Sequence, residues 1–192
     1  MPRHAADRST NAVYSPVARR LHWLVFALVA VQVPIGFIMS YRGNKTDTWD
    51  GMTNGLYSTH KAIGFLLLWL VVIRLAYRLT KGAPADEPTL EWWQKAASHL
   101  THWGLYGLLV AIPMLGWLGV SLYDARSIFG LFSLPALAAK NTDASNLVFA
   151  LHFYAAMLLA AMVMAHIGAA LYHHLIRKDG VLRRMLPGLK HR

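Results

Sequence analysis

Residues 152–166 read HFYAAMLLAAMVMAH, two histidines bracketing a run that is almost wholly apolar and carries no charge. An imidazole in such surroundings is costly unless a hydrogen bond or a ligand compensates it. The neutral ring keeps a lone pair for a metal and titrates near neutrality, so metal ligation and proton transfer are the chemistries open to it. The chain has ten histidines and no cysteine. Without thiols there are no disulfides, thiolate metal sites, iron–sulfur clusters or covalent haem attachment. Any cofactor is left to nitrogen, oxygen or thioether ligands.

The elements that must position these histidines are long and apolar. Of the 192 residues 56% are hydrophobic and only 15% charged, where a soluble domain carries about a quarter charged. Four runs, Leu21–Met39, Leu56–Leu79, Ala96–Leu122 and Leu147–Ile176, are long enough to cross a bilayer, which takes ~20 residues. They predict an all-α, integral membrane four-helix bundle forming one domain over 1–192, with helices at about 17–41, 56–80, 93–122 and 146–177. The first run is longer than a secretory signal core and no A-x-A site follows it, so it reads as a span. Asp143 or Ser145 is the expected cap of the fourth helix. The partly apolar connection before that helix is expected along the membrane interface. The net charge of +10 would suit a nucleic-acid binder, but the basic residues flank apolar runs instead of forming one surface, which argues against nucleic acid.

Lysine and arginine set the orientation. One side collects Arg3, Arg8, Arg19, Arg20, Arg74, Arg78, Lys81, Lys95, Arg177, Lys178, Arg183, Arg184, Lys190 and Arg192. The other holds only Arg42, Lys45, Lys61, Arg126 and Lys140, diluted by Asp47, Asp50, Asp124 and Asp143. Both termini are therefore expected in the cytoplasm.

Each histidine then acquires a depth. His152 and His166 are fourteen residues apart, which is ~21 Å of rise and a return to within ~40° of the same face. His60 shares the outer level with His152, and His22 the inner level with His166. Two cross-helix imidazole pairs at two depths are the ligand set of two stacked b-type haems. Gly36, Gly64, Ala155, Ala156, Gly168 and Ala169 are small enough to let a porphyrin approach. Arg74 follows His60 by fourteen residues and reaches inner depth, where it either snorkels to headgroups or holds a haem propionate. His99 and His102 are alternatives for one inner ligand or line the cavity; His4 and His191 belong to the tails. Trp23, Trp69, Trp103 and Trp117 fit an aromatic belt or packing at a haem edge.

The segments YSPVARRLHW, STHKAIGFLLLWLVVIRLAYR, SHLTHWGLYGLLVAIPMLGW and HIGAALYHHLIRKDGVLRRMLPG resemble the bacterial cytochrome b561 family. The resemblance covers nearly the whole chain except its first dozen residues and the loops, and is most specific at LHW and at AALYHH…RRMLP. It implies a four-helix membrane bundle with two b haems held from helices 1, 2 and 4. Carried over by motif, the axial ligands to haem iron are His22, His60, His152 and His166. The fourteen-residue spacing is also similar to that of the di-haem cytochrome b subunits of formate dehydrogenases and hydrogenases.

Iron held by two histidines has no open position, which leaves one-electron transfer as its chemistry. Ser15, Arg19, Arg20, His173 and His174 could form a quinone pocket beside the inner haem. The resemblance further implies an oxidoreductase that passes electrons from superoxide to ubiquinone. Arg42, Lys45, Lys61, Arg126 and Lys140 would attract the anion to the outer side. The rival reading is a haem relay between a partner dehydrogenase or hydrogenase and the quinone pool. A metal transporter is disfavoured, because the span interiors offer almost no polar path. Monomer and homo-oligomer both remain open.

Overall fold

A computed structural model describes residues 13–188. His4, Arg3, Arg8, Lys190, His191 and Arg192 lie outside the described residues. The elements are α1 (Pro16–Ser40), α2 (Gly51–Lys81), α3 (Trp92–Tyr123), a two-stranded hairpin of β1 (Ser127–Ile128) and β2 (Phe132–Ser133), and α4 (Thr142–Tyr172). Helices α1 and α4 each run on into a π-helical turn, Tyr41–Lys45 and His173–Arg177. A short 3-10 turn, Leu182–Arg184, follows. Among the described residues, four helices are long and apolar enough to cross a membrane, with mean hydropathy between 1.9 and 2.2 in their most apolar windows. Their outward faces carry many exposed large apolar side chains, as lipid contact requires.

Local chemistry sets where each helix begins. Ser15 Oγ accepts the Ala18 amide, with Pro16 at the first helical position. Asp50 accepts the Thr53 amide at 2.8 Å, so α2 starts at Gly51, well before its apolar run. Glu91 and Gln94 form a reciprocal capping box at the start of α3. The cap of α4 is Asn141, whose side chain accepts the Ala144 amide; neither Asp143 nor Ser145 takes that role. Ser145 is fully buried and donates to the Thr142 carbonyl, while Asp143 sits in the first turn, where the helix dipole favours an anion.

Successive helices pack as neighbours, α1 on α2, α2 on α3 and α3 on α4. Glycines on α3 create the closest seam. A Cβ on Gly104 would stand 2.8 Å from Met162, one on Gly116 3.1 Å from the His152 ring, and one on Gly119 2.5 Å from Phe149. Small residues let membrane helices approach where no hydrophobic effect drives them together.

The core is an apolar layer of Val25, Val29, Leu67, Val71, Leu109, Ile112 and Leu159. Leu159 stands midway between His152 and His166 on α4, and the others are spread over the stretch between the two histidine levels on their helices. The buried centre therefore lies between two histidine levels. Below, the end where α1 begins and α4 finishes is the terminal end; the opposite one is the hairpin end.

Candidate functional site

At the hairpin end, His60 on α2 faces His152 on α4 with ring centroids 6.0 Å apart. The His152 Nδ1–H donates to the Ile112 carbonyl at 2.9 Å, which leaves the lone pair on Nε2. Two glycines make room for the rings. A Cβ on Gly36 would lie 3.0 Å from His60 Cε1, just as one on Gly116 would press on His152. His60 Nδ1 is buried without a hydrogen-bond partner. Its backbone carbonyl accepts from Gln32 Nε2 at 2.8 Å, which ties α1 to α2 at this level.

At the terminal end, His22 on α1 faces His166 on α4, with centroids 6.3 Å apart. Arg74 turns inward to this pair rather than outward to headgroups. Its Nη2 donates to His22 Nδ1 at 3.1 Å, its Nε donates to the Tyr106 hydroxyl at 3.2 Å, and its Nη1 is buried without a partner. His102 on α3 also reaches this level, its ring 5.4 Å from that of His166.

These arrangements fit a metal held between two imidazoles. A bond of ~2 Å from each ring nitrogen to a shared metal puts facing rings ~6 Å apart centre to centre. Both pairs meet that separation. At the hairpin end the chemistry of the donors agrees: a neutral imidazole with its second nitrogen engaged on His152, and glycine at the ring edges. At the terminal end His22 Nδ1 accepts from Arg74, which puts the ring proton on Nε2, so ligation through Nε2 would require the guanidinium to give up that bond while staying beside the pair.

The residues expected around a quinone divide into two groups. Ser15 Oγ lies 2.8 Å from the Tyr77 hydroxyl, in a cleft of ≈ 260 Å³ lined also by Tyr14, Lys81 and Gly82. His173 and His174 do not line that cleft. His173 donates from Nδ1 to Asp179 at 2.6 Å; the two side chains are 11% and 4% exposed, and Arg177 Nε approaches the same carboxylate at 3.6 Å. His174 is half-buried, Arg20 is exposed, and Arg19 buries an unpartnered Nε.

Three of the basic residues on the hairpin side are already engaged. Arg42 pairs with Asp50 and Arg126 with Asp124, while Lys61 donates to the carbonyls of Ala125 and Ser127. Lys45 and Lys140 are exposed. Among the expected small residues, Gly36 touches a histidine, Gly64 meets Gln32 Nε2, and Gly168 has open space.

Sequence reasoning did not single out Gln32, Tyr106, Gly116 or Asp179. Gln32 had a visible signal, since an uncharged polar residue stands alone in the apolar run VAVQVPIG. Gly116 had none, because rotation about α3 was not known.

A family model described as prokaryotic cytochrome b561 matches residues 13–188. The chain is 33% identical over 183 residues to cytochrome b561 homolog 2 of Escherichia coli K12, covering 93% of each chain. It is 29% identical over 175 residues to cytochrome b561 homolog 1 of the same organism, covering 88% of this chain and 94% of the relative. A protein of Yersinia pestis named probable superoxide oxidase CybB is 28% identical over 178 residues, covering 91% of this chain and 96% of that one. With a family match over most of its length and four membrane-crossing helices, the chain belongs to the prokaryotic cytochrome b561 family of membrane electron-transfer proteins, which implies b-type haem.

Proposed function

We propose that this chain is a single-domain oxidoreductase of the bacterial inner membrane, with both termini cytoplasmic. It carries two b haems, one between His60 and His152 and one between His22 and His166, and moves electrons from superoxide on the outer side to ubiquinone near the cytoplasmic side. The observation that carries this reading is the pair of facing imidazoles at each end of α4, at the separation a shared metal requires. Orientation rests on the excess of lysine and arginine at the terminal end. The superoxide assignment is supported by the name of the Yersinia pestis relative.

His60 with His152 and His22 with His166 would hold the haems, which would supply one-electron transfer when bound. The protein's own residues do the rest. Ile112 fixes the His152 tautomer, Gly36 and Gly116 keep the ring edges accessible, and Arg74 Nη1 is a donor for a propionate. The apolar layer between the levels excludes water, so protons do not follow electrons along the bundle. Two superoxide anions each give up one electron and leave as dioxygen; ubiquinone takes both electrons and two protons to become quinol. Ser15 and Tyr77 supply hydroxyls for a quinone carbonyl, with Arg19 and Arg20 near on α1. His173 and His174 stand at the end of α4 on the proton-accessible side.

The deciding experiment is rapid mixing of the oxidised holoprotein with superoxide, with and without a short-chain ubiquinone. Haem reduction by superoxide and reoxidation by quinone are expected. If superoxide leaves the haems oxidised while a low-potential redox protein reduces them, the chain is a relay for a partner dehydrogenase or hydrogenase. A colourless, folded protein would sink both readings.

A further inference from the structure

The two histidine pairs differ in one respect that bears on the direction of electron flow. Arg74 places a full positive charge against the terminal-end pair, whereas among the described residues no charged side chain forms a hydrogen bond or ion pair with the rings of the hairpin-end pair. There, the contacts of His152 and His60 are the Ile112 carbonyl, the backbone link to Gln32 and the two glycines. Lys61 adjoins His60 in sequence, yet its ammonium is held against loop carbonyls.

Among the described residues, no carboxylate forms an ion pair with Arg74. The acidic residues among those described stand in the connections and at helix ends: Asp47, Asp50, Asp86, Glu87, Glu91, Asp124, Asp143 and Asp179. The guanidinium is instead solvated by two neutral groups, the His22 ring and the Tyr106 hydroxyl, with the Tyr106 ring 5.6 Å from Cζ. A half-buried cation with no ion-pair partner among the described residues is expensive to keep in a membrane. Its field is correspondingly strong, because little water screens it.

We propose that Arg74 makes the terminal-end haem the stronger electron acceptor of the two, so that electrons entering at the hairpin end run downhill toward the quinone side. This rests on the two-haem reading above. Reducing a haem removes one positive charge from the iron, so a fixed cation beside His22 favours the reduced form there and has little effect at the distant pair. The sign holds if Nη1 also binds a propionate, since removing Arg74 then leaves that carboxylate unneutralised and disfavours reduction further.

The test is an optical redox titration of the purified holoprotein and of its Arg74→Gln and Arg74→Lys variants. His152→Ala, which removes a hairpin-end ligand, identifies the midpoint of the terminal-end haem. The wild type is expected to show two midpoints, the higher one surviving in His152→Ala. Arg74→Gln is expected to retain both haems and lower only that higher midpoint, moving electron sharing between the haems by about tenfold or more, ~59 mV for one electron. Arg74→Lys keeps the charge and is expected to hold the midpoint near its wild-type value. Unmoved midpoints in Arg74→Gln, or a shift of the lower one alone, would overturn the inference. So would loss of a haem in both variants, because Arg74 would then hold the group instead of tuning it. If only the glutamine variant loses haem, the lysine variant decides: an unmoved midpoint upholds the inference and a fallen one overturns it. A wild type without two haems would defeat the proposed function itself, a failure distinguishable from all of these.

Discussion

His152 donates its Nδ1–H to the carbonyl of Ile112 at 2.9 Å, which pins the α4 ring to the α3 backbone one helical turn from Gly116. The bond orients the ring and selects its tautomer; the glycine lets the ring come that close. Substituting Gly116 by alanine would put a Cβ 3.1 Å from Cε1 and 3.2 Å from Nδ1, so the ring must shift by a few tenths of an ångström. Valine has no such remedy. Gly116→Val is expected to displace His152 and remove the hairpin-end haem, leaving about half the b-type absorbance. Full haem content in that variant would show that the room left by Gly116 does not set the position of the His152 ring.

Gln32 makes a different kind of contact. Its Nε2 donates to the His60 carbonyl, which lies within a continuous helix, while its Oε1 is buried without a partner. The gain from one bond is offset by one unsatisfied acceptor, so Gln32→Leu is expected to change stability by no more than ~1 kcal/mol. Gln32→Glu puts a carboxylate at the same depth and is expected to cost ~3 kcal/mol. Thermal unfolding in detergent compares the two. If leucine is as damaging as glutamate, the hydrogen bond to α2 matters more than its local balance implies.

How much of this was legible in the sequence follows from helix geometry. Depth is read from residue number alone, since each helical residue adds ~1.5 Å. Residue number alone therefore puts His60 level with His152 and His22 level with His166, and the rings of each pair stand edge-on to one another about 6 Å apart, at 6.0 and 6.3 Å. Rotation is another matter. It is normally read from the contrast between an apolar and a polar face, and lipid removes that contrast. For this reason the inward turn of Arg74 and the closeness of His102 to His166 were not decided by sequence. The separation of Ser15 from His173 depends on how the α2–α3 connection and the C-terminal turn fold. His173 is drawn to Asp179 in its own turn, a contact that spacing from α1 could not show.

Among the described residues the terminal-end level brings together the rings of His22, His102 and His166, and His102 is nearer to His166 than His22 is. Ser98 Oγ lies 3.4 Å from His102 Nδ1 on the same helix. The 6.3 Å separation of His22 and His166 matches that of the hairpin-end pair, whereas 5.4 Å is tighter than a shared metal asks. His22→Ala is therefore expected to lose the terminal-end haem, and His102→Ala to keep both. Pyridine haemochrome stoichiometry on the two variants measures this directly. The reverse pattern would make His102 the ligand from α3.

Asp50 gives the bundle a pH dependence at the hairpin end. The Thr53 backbone amide, then the Thr53 hydroxyl, hold its carboxyl below the ordinary carboxylate range; the nearby Arg42 adds to this, and partial desolvation opposes it. Folding therefore favours the ionised form. As pH falls, the unfolded chain takes up the proton first, near pH ~4. The stabilisation is complete above that value and disappears as pH drops through the lower folded value. Asp50→Asn keeps an acceptor for the cap but does not titrate. Wild type is expected to melt higher than Asp50→Asn at about pH 6, with the gap closing toward about pH 3. Circular dichroism melts at several pH values read the difference, and a gap that stays constant throughout would show that the carboxylate's charge has no part in starting α2.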